Sequence, residues 1–426
     1  MMMKKLIFFL FVTSTLLSQD KYIHAGKIYE SNSGNYQLNK TIIISDNFIS
    51  SIEDGFIEPK NKNVEVYDLK TKVLLPGLID FHVHMESESG GKERYINRFQ
   101  DSKEDVAFKS TVVAKKTLLA GFTTVRDVGG SGVNIALRNA INQGLVDGPR
   151  IFTSGKTIAT TGGHGDPTNG YRPDLVDDPG PKDGVVNSIS DARKAVRYRY
   201  KNGADLIKIT ATGGVMSMAK NGQNPQFTEE VMEAIVSTAN DYGMHVAAHA
   251  HGDEGMYRAV KAGVTTIEHG SIMKERTMKL MKEKNAYLVP TISAGEHVAK
   301  MASIPGYYPE IIIPKALEVG VQNKASTKRA YEMGVPISFG TDAGVFPHGD
   351  NAGEFVYWDE IGIPAEYSLR AATITNAKLL NMENLLGQIK KGFYADIIAT
   401  NDSPHENIST LKNVVFVMKD GKVYKK

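Results

Sequence analysis

The chain contains no cysteine. That excludes disulfides and thiol catalysis, and it leaves only nitrogen and oxygen side chains to hold any metal. Charge of one sign is also missing: 50 Lys and Arg stand against 48 Asp and Glu, a formal net charge of +2. No basic run with interleaved aromatics occurs, so nothing marks a nucleic-acid surface. Beyond the N-terminus no segment is apolar enough to span a membrane. Gly-x-Ser-x-Gly is absent and no Ser-His-Asp arrangement stands out. What remains is ordinary globular composition, 41% hydrophobic and 23% charged over 426 residues, enough for one large core and a smaller one.

Residues 1–19 read as a secretory signal. Lys4 and Lys5 precede the apolar run Leu6 to Val12, and small and polar residues follow, with cleavage expected near Ser18 or Gln19. The mature protein is expected to be exported, to the periplasm or the exterior. Both ends of the mature chain are rich in short β runs: Thr41-Ile42-Ile43-Ile44 and Phe48 to Ile52 early, Ala395 to Ala399 and Val414 to Val417 late. This predicts a small β-sandwich domain composed of residues 20–75 and 385–426.

Residues 76–384 alternate apolar β runs with helical patterns. The runs end near His84, Asp127, Ser154, Thr210, His249, His269, Thr291 and Asp342. Helical segments such as Val112 to Ala120, Asp191 to Asn202 and Thr228 to Tyr242 lie between most of them. Eight such units predict a (β/α)8 TIM barrel. An open doubly wound sheet is the alternative, but no Gly-x-Gly-x-x-Gly turn follows the first strand.

Polar residues gather where a barrel places its chemistry, at the C-terminal strand ends. His82 and His84 share one strand face and can each offer a nitrogen to one metal, or be unrelated polar residues at a strand end. His249 and His251 repeat the spacing, His269 ends the next run, and Asp342 follows Gly340-Thr341. Lys208 lies between Ile207 and Ile209 on a strand fit for burial. Two readings stand for it: a buried ion pair or a chain reaching solvent, or an amine whose depressed pKa lets it take up carbon dioxide as a carbamate. His245 reads as a structural residue deeper in the barrel. His24, His297 and His405 read as surface residues, and Arg126 with Asp127 as a buried pair.

Pro76 to His84, the lone strand lysine, the single histidines ending two successive strands and Gly340-Thr341-Asp342 together resemble the amidohydrolase superfamily. Thr161 to Gly165, Thr212-Gly213-Gly214, His249 to Gly252 and Ile267 to Gly270 resemble its imidazolonepropionase-like, Xaa-Pro dipeptidase (prolidase) branch. The resemblance spans nearly the whole mature chain. It implies a hydrolase of amide bonds with two divalent ions, most often zinc, and a homo-oligomer. His82, His84 and Asp342 would hold one ion and His249 and His269 the other, with Lys208 as a bridging carbamate beside a hydroxide. Asp342 would act as general base, His251 would steady the developing oxyanion, and His164 would meet the substrate or support the ligands. His348 would line the pocket, and loops such as Gly162 to Gly184 and Ser293 to Pro314 would form its walls. A dipeptide or other small molecule is the implied substrate. A cyclic amide and a non-catalytic binding protein are the alternatives.

Overall fold

The computed structural model describes residues 20–88, 90–220 and 222–426. The expected signal, residues 1–19, lies outside the described residues. The described chain opens with β1 (Lys21–Tyr29), β2 (Tyr36–Ser45), β3 (Phe48–Asp54) and β4 (Glu65–Pro76). The barrel strands are β5 (Leu78–Val83), β6 (Phe122–Asp127), β7 (Arg150–Thr153), β8 (Ile207–Thr210), β9 (Val246–Gly252), β10 (Thr266–Ile272) and β11 (Tyr287–Val289). The chain ends with β12 (Ile397–Thr400), β13 (Phe416–Lys419) and β14 (Lys422–Lys425).

Both termini build one seven-stranded sheet in the order β14-β13-β12-β4-β1-β2-β3. It curls on itself. The amide of Ile49 donates to Phe393 O, that of Ala395 to Asn47 O and that of Gly421 to Ala395 O, so residues 393–395 join its two ends. Alternation sends Ile23, Ile42, Ile44, Leu74, Ile397 and Phe416 into a shared interior. β4 runs straight into β5 through Gly77, where a Cβ would meet Thr123 Oγ1 at 2.1 Å, so the chain enters the barrel at a point where only glycine fits.

The barrel strands pair in parallel as β5-β6-β7 and β8-β9-β10-β11. Irregular backbone closes the two gaps. On one side the Ile158 amide donates to Lys208 O at 2.8 Å and the Asp205 amide to Thr153 O at 2.7 Å. On the other, residues 336–343 fill the eighth position without forming a regular strand. The Ser338 amide donates to Leu288 O, Phe81 to Phe339 O, and Asp342 to His82 O at 2.7 Å. The expected eighth strand is therefore a barrel stave of irregular backbone. The two gap segments turn a seven-stranded array into the closed eight-membered α/β barrel.

Helices cover the outside. α1 (Glu93–Gln100) and α2 (Lys103–Leu119) follow β5, and α2 starts nine residues ahead of the expected Val112. Ser102 and Asp105 form a capping box there, which fixes the start where no apolar period announces it. The helix Glu229–Asp241 is flanked by Thr228 and Tyr242, the two residues the sequence marks as its limits. Among the described residues no helix is long and apolar enough to cross a membrane.

Candidate metal centre and active site

The C-terminal ends of the barrel strands surround a cavity of about 900 Å³. His84, His164, Lys208, His249, His251, His269 and Asp342 all line it. His82 is buried next to them, its ring 5.4 Å from that of His84 and 5.0 Å from that of His269. The ligand atoms of His82, His84 and Asp342 lie within 4.8 Å of one another. His82 Nε2 and His84 Nε2 approach Asp342 Oδ1 at 3.5 and 3.3 Å, and that oxygen is buried without a hydrogen-bond partner.

The opposite ring nitrogens explain why these atoms are free. His82 Nδ1–H donates to Glu268 Oε2 and His84 Nδ1–H to Gly129 O, both at 2.7 Å. Each bond fixes the tautomer with a bare Nε2 facing inward. His249 donates Nε2–H to Gly213 O at 3.1 Å, which leaves Nδ1 as its free nitrogen. His269 Nδ1 pairs with Thr291 Oγ1 at 2.7 Å and leaves Nε2. The rings of His249 and His269 stand 4.7 Å apart, and His82 and His269 5.0 Å. A buried orphan carboxylate oxygen between bare imidazole nitrogens fits a divalent cation, and a nitrogen and oxygen donor set suits zinc, manganese or cobalt.

The backbone is bent to build this mouth. His269, Thr291 and Asp342 are non-glycine residues at φ of 74°, 52° and 61°. Each costs on the order of 1–3 kcal/mol and needs its surroundings to hold it. Strict alternation would put His269 on the same side as Ile267, toward the outer helices. The left-handed turn swings it back to the mouth beside Glu268.

Burial sets the charges. It drives His82 down to about 4, assisted by the Lys208 charge, and His251 and His164 down to about 3. His249 and His269 sit well below the ordinary imidazole value for the same reason. These rings are neutral and able to ligate at neutral pH. Burial also opposes charge on His84, but the adjoining Asp342 outweighs it and holds His84 above its usual value. Burial brings Lys208 down to about 8 against the pull of Glu268 and Asp342.

Several expectations change. His348 does not line the cavity. Its Nδ1 pairs with Thr117 Oγ1 at 3.0 Å and its Nε2 faces His84 O and Ser87 O, so both nitrogens are spent inside the protein. Arg126 and Asp127 are both buried but not paired with each other, because neighbours on a strand face opposite ways. Arg126 pairs with Glu268 at 2.7 Å, while Asp127 accepts from Met85, Gly129 and Asn134. His24 is buried, with Nε2 on Ile57 O, and His297 and His405 are half-buried. The wall expected as a loop from Ser293 begins as the helix Ile292–Ala302, which turns Ala294 and Val298 to the cavity. His245 is half-buried and stacked on Phe81, as a structural residue should be.

The model of the family described as the amidohydrolase family matches residues 73–424. The chain belongs to the amidohydrolase family. A crystal structure of a Xaa-Pro dipeptidase with bound methionine in its active site is 51% identical to this amidohydrolase at a TM-score of 0.92, covering 96% of this chain and all of the other. A prolidase complexed with N-methylphosphonate-L-proline is 31% identical at a TM-score of 0.87, over 96% of this chain and all of that one. The ochratoxinase of Aspergillus niger is 31% identical over 98% of this chain and 89% of its own length. The chain is thus an amidohydrolase acting on amide C–N bonds, with prolidase-like structural neighbours.

Proposed function

We propose that this amidohydrolase is an exported, metal-dependent dipeptidase of Xaa-Pro dipeptidase type. The observation that carries the reading is the buried, unpartnered Asp342 Oδ1 between the bare Nε2 atoms of His82 and His84. The 51% identical Xaa-Pro dipeptidase, with an amino acid in its active site, supports the substrate class. His82, His84 and Asp342 would hold one divalent ion, and His249 and His269 a second, with Lys208 as a carbamate between them; zinc suits the donors. Ions bound there would lower the pKa of water and polarise the scissile carbonyl.

The chain's own groups do the rest. Asp342 accepts the proton of the attacking water and delivers it to the leaving nitrogen. Ser271 Oγ lies 2.9 Å from His251 Nδ1. With the hydroxyl donating there, His251 keeps its proton on Nε2 and can donate to the developing oxyanion. His164 stacks on His249 at 4.4 Å, and its Nδ1 is buried without a partner, ready for a substrate carbonyl or carboxylate. Gly214 lies so close to the His164 ring that a Cβ would meet it at 2.3 Å, so the glycine sets the ring's position.

A panel of Xaa-Pro dipeptides with free and amidated C-termini, with metal content measured in parallel, tests the proposal. Hydrolysis should need both the free carboxylate and the metal, and His82→Ala should lose metal and activity together. Full activity in that variant would sink the reading. The ochratoxinase relative and the roomy cavity favour a second reading, a larger non-peptide amide as substrate. Turnover of such amides with no dipeptide cleaved would select it.

A further inference from the structure

We infer that α1 carries an outer subsite, built on Arg94 and Arg98, that selects substrates bearing an additional carboxylate away from the scissile bond. The inference rests on the dipeptidase reading for its choice of probes. Both arginines line the same cavity as the histidine cluster. The charge of Arg94 reaches His164. Arg98 lies over the Tyr95 ring at 5.7 Å, and the charge of Arg94 opposes its own.

The acids nearby are spent elsewhere. Glu88 pairs with Lys116 at 2.8 Å and Asp101 with Lys109 at 2.7 Å. Glu86 accepts from the amides of Ser131 and Asn134, both at 2.6 Å. Asp166 accepts from the amides of Gly162 and Thr168, at 2.7 and 2.8 Å. Among the described residues neither arginine has an ion pair, and the partner of Arg98 is the Tyr95 ring, so both guanidiniums keep donors for a ligand.

Local physics argues against such a placement unless something binds. Arg94 and Arg98 are spaced i,i+4, where like charges repel and weaken a helix. Arg94 also sits in the first turn of α1, where the helix dipole disfavours a cation, whereas Arg98 in the last turn is well placed. The eight-residue α1 buries none of its residues, so packing on the body does little to offset these costs. Two lateral contacts hold it across the cavity. Tyr95 Oη donates to Met216 O at 3.1 Å, and Phe99 lies against Tyr171 with ring centroids 4.6 Å apart. A local rule broken twice at the rim of an active-site cavity points to a ligand. Two guanidinium forks suit a carboxylate. A cavity of about 900 Å³ is at the large end of the roughly 300–1,000 Å³ range of small-molecule sites, with room beyond a short dipeptide.

The test compares isosteric pairs differing by one charge: Glu-Pro against Gln-Pro, and Met-Glu against Met-Gln. In at least one pair the wild type should favour the acid by roughly tenfold in kcat/KM, and the preference should shrink as salt rises. In R94Q/R98Q the ratio should fall toward one through loss on the acidic member. R94K/R98K should keep part of it. A merely structural role for α1 would lower both members alike and leave the ratio intact, which would overturn the inference. So would a wild type with no acid preference in either pair. Calorimetric binding of the same dipeptides separates the two proposals. Tighter binding of an acidic member through the arginines, with no hydrolysis of any dipeptide, would sink the dipeptidase reading and uphold the subsite.

Discussion

Glu268 governs the geometry of His82. Its Oε2 accepts the His82 Nδ1–H, and its Oε1 accepts from Arg126 Nη2 and from Thr266. Burial opposes its charge, yet Arg126 and His82 hold it far below the usual carboxylate range. Arg126 is fixed in turn by Phe81 O at 2.6 Å and by stacking 3.8 Å over the Phe81 ring. The sequence showed Glu268 only as a neighbour of His269. Nothing in a linear pattern says which strand a buried carboxylate will face, so its partners across the barrel on β5 and β6 were not legible. Glu268→Gln keeps the shape and removes the charge. It leaves Arg126 as a buried cation without a counter-ion, which should cost about 3–5 kcal/mol in denaturant unfolding. It also weakens the hold on the His82 tautomer, so metal affinity by competition with a chelating dye should fall roughly 10–100-fold. Unchanged affinity in a folded variant would show that Glu268 does not position His82.

The eighth barrel position shows how an element can be right in place and different in form. The run Ile337 to Asp342 has the apolar content of a strand, but its end must turn Asp342 to a left-handed φ of 61° so the carboxylate meets His82 and His84. Ladder bonding is therefore incomplete, and Asn376 replaces part of it. Its Nδ2 donates to Ile79 O and to Phe339 O, both at 2.8 Å, and Ser338 Oγ donates to its Oδ1 at 2.6 Å. Asn376→Ala would strip both amide bonds from the stave and leave the Ser338 hydroxyl without its acceptor, although Phe339 O keeps the Phe81 amide, at roughly 1–3 kcal/mol for each group left unsatisfied. Asn376→Asp has the same outline and should be no better, because it turns an acceptor toward two carbonyls. Both should lower the urea midpoint and loosen metal binding together, since the stave that moves carries Asp342. An Asn376→Asp variant as stable as the parent would mean the stave is held by other means. Helix limits were legible where a cap and an apolar period coincide, as at Thr228 and Tyr242. They were not legible for α1, whose apolar residues face no core.

At the scale of the molecule, the barrel and the terminal sheet are tied by Arg150 of β7, which pairs with Asp396 at 2.8 Å and with Asp420. That two β-rich ends should meet was readable from their shared pattern. That they form one curled sheet was not, because register and curvature depend on contacts no single run encodes. The barrel that the sheet abuts encloses a group of neutral imidazoles, and this fixes how the fold answers acid. His245 lies outside the cavity lining, so it reports on the fold rather than on bound metal. Burial, and then the Arg126 guanidinium 3.4 Å from its Nε2, lowers it from 6.5 to about 3. In the unfolded chain it takes a proton near its ordinary value; in the folded chain it resists. Below pH 6.5 the unfolded state therefore binds more protons, and stability falls as pH falls toward 3. Its contribution is complete above pH 6.5, and between pH 6.5 and pH 5 this one group should remove about 2 kcal/mol. His245→Gln takes up no proton in either state. Its unfolding free energy in urea, measured with chelator present in both proteins, should fall less steeply with acid by that amount, while the curves run parallel above neutral pH. Parallel curves throughout would mean that His245 is solvated enough to protonate in place, and that the barrel interior beneath the cavity admits water.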